Sequence, residues 1–317
     1  MKPAEDTPTY TPENIPDEWF RPKQRDLEAA ETVARPSLSY WQDAWRRLVK
    51  NKMAMMGLVF LVLLTIMAIF GPVLSPYEVN KQDLPNQYQP PSAEHWFGTD
   101  SAGRDVFTRT WYGARISLFV GLMAALIDVS IGIIYGGIAG YKGGRTDGIM
   151  MRIIEILYGL PYLLVVILLL VVLGPSLTTI ILALTVTGWV GMARIVRGQV
   201  LQIKNYEFVL ASQSFGAKTS RIIRKNLLPN TMGPIIVQMT LTVPTAIFAE
   251  AFLSFIGLGI QAPHASWGVM ANDSLGAILS GHWWTLFFPA FFISFTMFAF
   301  NVLGDGLQDA LDPKLRK

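Results

Sequence analysis

The sequence predicts an all-α integral membrane protein with six transmembrane helices and with both termini in the cytoplasm. Its composition is 51% hydrophobic and only 15% charged. Five long runs contain almost no charged residues, and the basic residues gather on alternate connections between them. Because a helix needs about 20 apolar residues to cross the hydrocarbon of a bilayer, runs of this length predict membrane spans.

The N-terminal region predicts a tail followed by a surface helix. Residues 1–37 are rich in Pro, Glu, Lys and Arg, which predicts a flexible cytoplasmic tail and no cleavable secretory signal. In residues 38–52, Trp41 and Trp45 recur at helical spacing beside basic residues. This pattern predicts an amphipathic helix at the membrane interface, although a helix packed on the flank of the protein fits the same pattern.

The apolar runs give the remaining spans and their connections. The run at 156–193 is long enough for two spans, because Gly174, Pro175 and Ser176 supply a turn near its middle. The runs are 53–77, 116–141, 156–193, 226–249 and 283–304. In order, the predicted domains are the first span (53–77), an external loop (78–115), a five-helix core (116–304) that contains a cytoplasmic coupling segment (198–230), and a cytoplasmic C-terminal tail (305–317).

The distribution of Lys and Arg predicts the orientation. Basic residues gather before the first span, between the second and third, between the fourth and fifth, and at the C-terminus. The connection at 250–284 contains neither Lys nor Arg, so the positive-inside rule places it outside and both termini inside. The loop at 78–115 holds four basic residues beside five acids, and a loop of that length is weakly governed by the rule. The net charge of +3 therefore reflects membrane topology rather than nucleic-acid binding.

Glycines and prolines inside the spans predict close packing and kinks. Gly132, Gly136 and Gly140 recur every four residues in the second span, and small residues at this spacing let another helix approach closely in lipid. Proline removes a backbone donor, which predicts kinked helices around a changeable cavity. The prolines concerned are Pro161, Pro234 and Pro244.

Asp128 lies at the centre of the second span. A charge at that depth costs on the order of 2.5–3.5 kcal/mol, so the side chain must face protein or water. Two interpretations remain open. Asp128 lines a translocation pathway and contacts a cationic group of the solute, or it forms an interhelical hydrogen bond or stays protonated, and the second interpretation is favoured.

The stretch EFVLASQSFGAKTSRIIRKNLLPN (207–230) is polar, although it lies between two apolar runs. Apolar residues at three- and four-residue spacing predict a helix over 206–215, and Gly216 ends helices in the left-handed conformation. A second short helix is predicted over 220–228, which Pro229 ends. The stretch thus predicts a helix, a tight turn and a helix on the cytoplasmic face.

Three functions compete for this stretch. A DNA-binding helix-turn-helix has a similar pattern, but six spans would hold it against the membrane. A phosphate loop is suggested by Gly216 to Thr219, yet the glycine directly before Lys218 and another five residues earlier are both absent. The third function is docking: a rigid protrusion that fits a groove on a soluble partner and moves the spans attached to its ends.

The stretch resembles the cytoplasmic signature of permease subunits of binding-protein-dependent ABC importers. In that signature E-A-A is followed after three residues by Gly and after nine more by I-x-L-P. In this sequence the positions hold Leu210-Ala211-Ser212, then Gly216, then Asn226-Leu227-Leu228-Pro229. Leu210, Ser212 and Asn226 depart from the signature. Glu207, one turn earlier, is a candidate replacement for the missing acid.

Four further segments are similar to the family of dipeptide, oligopeptide and nickel permeases, and most similar to the C subunit of oligopeptide permeases. They are residues 95–118, 141–152, 249–270 and 300–317. The resemblance implies the type I ABC importer permease fold and a multi-pass protein of the prokaryotic plasma (inner) membrane.

The resemblance also implies partners and site residues. It implies a complex with a homologous permease subunit, two cytoplasmic ATPase subunits and an extracytoplasmic solute-binding protein, which moves peptides across membrane lipid and binds no nucleic acid. The chain itself would be no enzyme and would hold no cofactor, because the ATPase subunits bind ATP and Mg. The residues implied to dock on the ATPases are Glu207, Ala211, Ser212, Gly216, Ala217, Lys218 and Pro229.

Alternatives of other classes remain. A secondary transporter would show paired half-helices or inverted repeats with coupling carboxylates, and a membrane scaffold or receptor subunit would show no transport at all. Within the family nickel is the rival substrate, but His95, His264 and His282 are widely separated and lack helical ligand spacing. The absence of cysteine excludes a thiolate metal site, and we expect no bound metal.

Overall fold

The computed structural model describes residues 39–261 and 264–311. Within them the regular structure is helical, apart from an isolated bridge between Thr99 and Asp105. The elements are α1 (Tyr40–Lys50), α2 (Lys52–Leu74), a 3₁₀ turn (Leu84–Asn86), α3 (Val106–Lys142), α4 (Gly144–Tyr158), α5 (Tyr162–Leu173), α6 (Leu177–Ile203), α7 (Glu207–Ser214), α8 (Thr219–Ile222), a π-helical turn (Ile223–Leu227), α9 (Leu228–Phe255), α10 (Trp267–Asp273), α11 (Leu275–Leu279) and α12 (Trp284–Leu311). The predicted all-α class is confirmed for this part of the chain.

Six spans are present only if a bent pair of helices counts as one. Five helical segments are long and apolar enough to cross a membrane: α2, α3, α6, α12 and the continuous segment Thr219–Phe255. The sixth candidate joins α4 to α5 with a bend of 77°. With 12 residues, α5 is about 18 Å long, too short to cross about 30 Å of hydrocarbon alone. The predicted kink at Pro161 is confirmed, because α5 begins directly after this residue.

The predicted run at 156–193 is interrupted at two places, whereas the sequence predicted one turn between two spans. The chain turns at Gly159–Pro161 as well as at Gly174–Ser176, so the first half of the run is divided between α4 and α5. Hydropathy does not detect the first break, because Gly159 and Pro161 carry no charge. Proline nevertheless lacks the backbone donor that would continue the helix.

Two other predicted boundaries differ from the structure for a common reason. The second span begins at Val106 rather than 116, inside the predicted external loop, and Asp105 caps it by accepting a hydrogen bond from the Thr108 amide at 2.8 Å. The last helix continues to Leu311, beyond the boundary predicted at 304, through Asp305 and Asp309. A charged residue ends an apolar run but does not end a helix. The predicted tail at 1–37 lies outside the described residues, as do residues 312–317.

α3 is the central helix and packs on α2, α6 and α9. Its seam with α6 is built from the three glycines spaced four residues apart. A Cβ on Gly136 would overlap the carbonyl oxygen of Ala193, and a Cβ on Gly140 would lie 2.9 Å from the Arg197 carbonyl oxygen. A Cβ on Gly132 would likewise clash with Met192. The predicted close packing of these glycines is confirmed.

α1 has one packed face and one exposed face. Leu48 is buried in a cluster with residues of α2 and α12, including Leu61 and Leu303. Trp41 and Trp45 on the other face are 52% and 56% exposed. Packing on the protein's flank is therefore present, and the position of the tryptophans at the membrane interface stays a prediction.

Candidate functional site

The docking segment, residues 207–230, contains the tight turn predicted at Gly216. α7 ends there with Gly216 at φ +72°, and the Ala217 amide donates to the Ser212 carbonyl at 3.1 Å while the Gly216 amide donates to Gln213 at 2.8 Å. This pair of bonds is the Schellman motif, which closes a helix through a left-handed residue. Among the described residues nothing lies within 4 Å of a Cβ built on Gly216, so the turn requires glycine for its backbone conformation alone.

The second half of the docking segment differs from the prediction. The second helix was expected to end at Pro229, but α8 continues through a π-helical turn directly into α9. Pro229 lies in the first turn of α9, and the Leu228 amide bonds to Ile223 rather than to the fourth residue back. Proline has no amide donor, and it is tolerated in the first turn of a helix, where Pro229 lies.

The docking segment is attached to the ends of α6 and α9 by a buried apolar cluster. Its buried members are Met192, Val196, Val200, Val209, Ile222, Leu227 and Ile235. The two arms of the segment are also joined by a hydrogen bond of 2.9 Å from the Asn226 side-chain amide to the Ser212 hydroxyl. These are two of the three positions that depart from the importer signature. The two polar side chains that differ from the signature are thus hydrogen-bonded to each other across the turn.

The exposed side of the docking segment combines apolar and basic groups. Phe215 at the turn is 91% exposed and Phe208 is 41% exposed. Ser220, Arg221, Arg224 and Lys225 line a surface depression of about 400 Å³. An exposed aromatic group beside basic residues is typical of an interface for another protein. Phe208 and Phe215 are among the apolar residues whose helical spacing predicts a helix over 206–215, and the structure shows that both are exposed.

The structure places the predicted docking residues together on this segment. Five of them are exposed to solvent and two are half-buried at the turn. The exposed ones are Glu207, Ala211, Gly216, Lys218 and Pro229, and the half-buried ones are Ser212 and Ala217.

An ion pair joins α4 to α6. The Arg197 guanidinium on α6 binds both carboxylate oxygens of Asp147 on α4, at 2.5 and 2.6 Å. Lys204 at the end of α6 donates to the Gly140 carbonyl oxygen at 3.0 Å. The cytoplasmic ends predicted for α3, α4 and α6 are thus joined by charge-assisted bonds, which are stronger than neutral ones.

Asp128 is buried between α3 and α6. Its carboxyl group packs directly against Gly188, and its Oδ1 atom has no hydrogen-bond partner among the described residues. The residue is only 5% exposed. The carboxyl group therefore faces the protein's own helices in this conformation.

Glu250 is a functional candidate that the sequence interpretation missed. It was predicted in the external connection, but α9 continues past it and buries it completely. Its two carboxylate oxygens accept hydrogen bonds from Ser117 at 2.9 Å and Ser254 at 2.8 Å, and the Ser117 hydroxyl in turn accepts from the Trp267 amide at 3.4 Å. This network joins α3, α9 and α10. The apolar periodicity that continues to Phe255 was the available signal.

The three histidines lie in separate surroundings. His95 Nδ1 is 2.9 Å from Asp105, His264 Nδ1 is 3.1 Å from the Tyr112 hydroxyl, and His282 stacks on Tyr88. In residues 39–261 and 264–311, no three His, Cys, Asp or Glu side chains are grouped so that they could hold a metal ion.

Two family models match separate parts of the chain. The family model described as "Binding-protein-dependent transport system inner membrane component" matches residues 132–317. The model described as "N-terminal TM domain of oligopeptide transport permease C" matches residues 39–91.

Curated relatives match over most of their length. The dipeptide transport system permease protein DppC of Bacillus subtilis (strain 168) is 78% identical over 96% of this chain and 95% of its own. The oligopeptide transport system permease protein OppC of the same organism is 60% identical over 96% of this chain and 100% of its own. OppC of Escherichia coli (strain K12) is 45% identical over 88% of this chain and 92% of its own.

One solved structure supports the fold. A chain of the MetNI methionine ABC transporter, determined in inward-facing conformations, superposes with a TM-score of 0.52 at 18% identity. The match covers 63% of this chain and 94% of that chain. The identity is low, so the likeness concerns the fold alone.

Proposed function

Because the chain belongs to the family of binding-protein-dependent transport system inner membrane components, we propose that its docking segment couples ATP hydrolysis by partner subunits to peptide translocation. The chain is a permease subunit of an ABC importer and resides in the bacterial inner membrane. The proposal concerns its cargo, its partners and the residues that connect them.

The docking segment is the observation that carries this proposal. Its hairpin is held by the Schellman turn at Gly216 and by the bond between Asn226 and Ser212, so it protrudes as one unit. It is continuous with α9 and is joined to α6 by three intervening residues. Movement of the hairpin is therefore transmitted directly to two spans.

The surface of the docking segment fits an acidic groove on an ATPase subunit. Four basic residues stand against the single acid Glu207, and an exposed aromatic ring lies at the turn. Opposite charges increase the rate of association, and a buried aromatic group contributes much of the affinity. The basic residues are Lys218, Arg221, Arg224 and Lys225.

The partners follow from the family and the permease role. A second, homologous permease subunit completes the pathway, two cytoplasmic ATPase subunits bind ATP and Mg, and an extracytoplasmic solute-binding protein delivers the cargo. This chain contributes no catalytic residue. The docking segment and both termini then face the cytoplasm, an orientation supported by the basic residues that surround the segment.

Coupling in both directions is a thermodynamic requirement. If closure of the ATPase pair changes the conformation of the pathway, the conformation of the pathway must change the affinity between the ATPases by the same factor. Loosening the hairpin therefore weakens the coupling of ATP hydrolysis to transport without changing capture of cargo by the solute-binding protein.

Peptides are the proposed cargo. Two relatives that match almost the whole chain are named as dipeptide and oligopeptide permeases. The main chain of a peptide offers the same donors and acceptors whatever its sequence, which suits a permissive pathway.

Uptake in sealed vesicles tests this function. The complete complex should accumulate a labelled peptide only when ATP is inside and the solute-binding protein is outside, and ionophores that remove ion gradients should leave uptake unchanged. Uptake driven by an ion gradient without ATP would show a secondary transporter instead. ATP hydrolysis by the purified chain alone would contradict the assignment of ATP to the partners.

A charge-reversal pair tests the docking surface. We expect Arg224→Glu to weaken association with the ATPase subunits about tenfold, or about 1.4 kcal/mol, because it places like charges together. The matched control is Lys81→Glu, which reverses a charge in the predicted external loop (78–115). It should leave association unchanged. Equal affinities of the Arg224→Glu complex and the wild type would remove the acidic-groove proposal.

A further inference from the structure

An apolar groove lies on the surface of the helix bundle between α2 and α12. It has a volume of about 520 Å³, which is within the usual range of ligand sites. We call it the α2–α12 groove. Among the described residues, α2 and α12 are the two spans least buried by the rest of the chain, so this surface faces lipid or another subunit.

The floor of the groove is a close contact between the two helices. A Cβ on Gly57 would lie 2.8 Å from the carbonyl oxygen of Ala299, so only small residues fit where the helices meet. The walls rise on both sides as large apolar side chains, each at least 40% exposed: Met53, Met56, Val59, Leu63, Phe295 and Phe298. Methionine side chains are unbranched and adapt to a ligand of irregular shape.

The groove extends over only one half of the membrane thickness. The distance from Lys52 to Leu63, the two ends of its wall on α2, is about 16 Å along the helix. The hydrocarbon core is about 30 Å thick, so one leaflet contributes about 15 Å. The same face of α2 continues through Ile66 and Phe70, which are exposed but do not line the groove. A spanning helix of another subunit would contact the whole face, whereas an acyl chain of one leaflet has the length of the groove.

Cations lie at one end of the groove. Lys52 begins α2 and is the one charged residue among the described residues that line the groove. Arg46 and Lys50 on the adjoining helix α1 are exposed. Arg47 pairs with a carboxylate one turn earlier at 3.2 Å, but within residues 39–261 and 264–311 Arg46, Lys50 and Lys52 form no ion pair. Their charges are therefore available to an anion.

The exposed apolar face of α1 is continuous with the groove. Trp41, Trp45 and Val49 recur every four residues on this face, and Val49 lines the groove beside Lys52. Tryptophan is enriched at the level of the lipid head groups. The charged end of the groove is therefore at the depth where a phosphate group lies, and the apolar end points toward the centre of the membrane.

This arrangement selects an amphiphile that has one anionic end and an apolar chain as long as one leaflet. The chain alone gives no selectivity, because lipid tails are as apolar as the groove itself. Selectivity comes from the head group, since each Lys or Arg near a membrane surface favours an anionic lipid by about fivefold. A zwitterionic lipid carries an amine beside its phosphate, and the cations of α1 and α2 repel that amine.

We propose that the α2–α12 groove binds one anionic phospholipid, with an acyl chain between the two helices and a phosphate group on Lys52 beside the cations of α1. The site is separate from the cargo, the ATPase subunits and the docking segment, so it goes beyond the proposed function. In the orientation predicted from the basic residues, the bound lipid belongs to the cytoplasmic leaflet.

Photo-crosslinking in the complete transport complex tests this proposal. The complex is placed in nanodiscs of phosphatidylcholine that contain a small fraction of phosphatidylglycerol with a diazirine near the middle of one acyl chain. Light attaches this chain to neighbouring side chains, and peptide mass spectrometry locates the products. Phosphatidylcholine with the same modified chain is the matched probe. Crosslinking does not depend on transport, so its failure would leave the proposed function in place.

We expect the phosphatidylglycerol probe to label residues 53–63 and 295–298 at least about tenfold more than the phosphatidylcholine probe, because several cations act together. Unlabelled phosphatidylglycerol should compete, and unlabelled phosphatidylcholine should not. Equal labelling by both probes would show ordinary boundary lipid and overturn the proposal. Labelling elsewhere on α2 but not in the groove would show that a second subunit covers it, which would also overturn the proposal.

A charge variant tests the contribution of the head group. Lys52→Gln should reduce the preference for phosphatidylglycerol about fivefold, because one cation is removed. The control is Lys142→Gln, which removes an exposed charge at the end of α3 that does not line the groove, and it should keep the full preference. An unchanged preference in Lys52→Gln would contradict binding of the phosphate at this residue.

A steric variant tests the position of the acyl chain. Val59→Trp fills the groove from an exposed position and should reduce labelling of the groove about tenfold. Ile66→Trp is the control, because it lies on the same face of α2 beyond the end of the groove. The two positions are 51% and 45% exposed, so folding tolerates a larger side chain at both. Equal labelling of the two variants would contradict an acyl chain in the groove.

Discussion

Gly216 determines the shape of the docking segment through its backbone alone. At φ +72° a residue with a side chain is strained by about 1–2 kcal/mol, most severely when it is β-branched, and asparagine is the best tolerated replacement. We therefore expect Gly216→Val to reduce assembly with the ATPases at least several-fold in a pull-down assay, and Gly216→Asn to retain it. Because the space around Gly216 is open, a clash would not explain such a difference.

The control for Gly216 is Gly148, which has a negative φ and open space around a Cβ. Gly148→Ala should assemble as the wild type does. Normal assembly and uptake of Gly216→Val would show that the left-handed turn is dispensable for docking.

The burial of Asp128 favours the interpretation in which its carboxyl group faces the protein rather than the solute. The carboxyl group lies against Gly188 inside the chain. We therefore predict that it does not contact the solute. Asp128→Asn keeps the shape and removes the charge, and uptake of neutral and cationic peptides should be unchanged. Selective loss of cationic peptides would restore the pathway role.

The bond between Ser212 and Asn226 shows what a sequence hides at the level of single residues. Considered separately, Ser212 and Asn226 each differ from the residue that the importer signature has at that position. In the structure the two side chains are 2.9 Å apart and compensate each other. A linear sequence pattern does not show which side chains a turn brings together, so the hydrogen bond between these two residues is evident only in the structure.

Among the described residues, the seam between α3 and α6 is the most extensive contact between two helices. A Cβ on Gly136 would overlap a backbone oxygen of Ala193, and backbone cannot move as a flexible side chain does. We expect Gly136→Ala to lower the thermal stability of the purified complex by several degrees, in line with about 1–3 kcal/mol for overpacking.

Gly191 on α6 is the matched control, because nothing among the described residues lies within 4 Å of its Cβ position. Gly191→Ala should leave the melting temperature of the chain unchanged. Equal melting temperatures for Gly136→Ala and Gly191→Ala would contradict the close approach of the two helices.

The Glu250 network joins α3, α9 and α10 at the end of the helices opposite the docking segment. Glu250→Leu removes the acceptor for the Ser117 and Ser254 hydroxyls and leaves buried donors unsatisfied, at about 1–3 kcal/mol each. We expect this variant to be purified in low yield and to melt earlier, as measured by a fluorescence melting assay. Glu250→Gln retains an acceptor and should stay close to the wild type. A stable Glu250→Leu would mean that the serines find other partners.

Element boundaries explain most of the difference between the predicted and the observed fold. The apolar runs were sufficient for the class, the glycine spacing for a close helix contact along α3, and Gly216 for the turn that follows α7. Glu250 and Asp305 were taken as ends of spans, but a helix passes through both because their backbones remain hydrogen-bonded. The π-helical turn before Pro229 could not be predicted, since proline there is compatible with a stop or with a first helical turn.

The orientation of the whole molecule is a prediction that labelling can test. A single cysteine at Ser220, on the docking segment, should react with an impermeant reagent only in inside-out vesicles. A cysteine at Ser280, between α11 and α12, should react only in intact cells. The predicted topology of six spans places these two positions on opposite sides of the membrane. Reaction of both from the same side would contradict it.

Thr219–Phe255 is a single helical segment of 37 residues, or about 55 Å. The docking surface is at its first turn, and Ser254 is in its last. A displacement that a partner causes at the first turn is therefore transmitted along one continuous helical backbone to the last turn. A rotation of this segment about its long axis would move the side chains at both of its ends together.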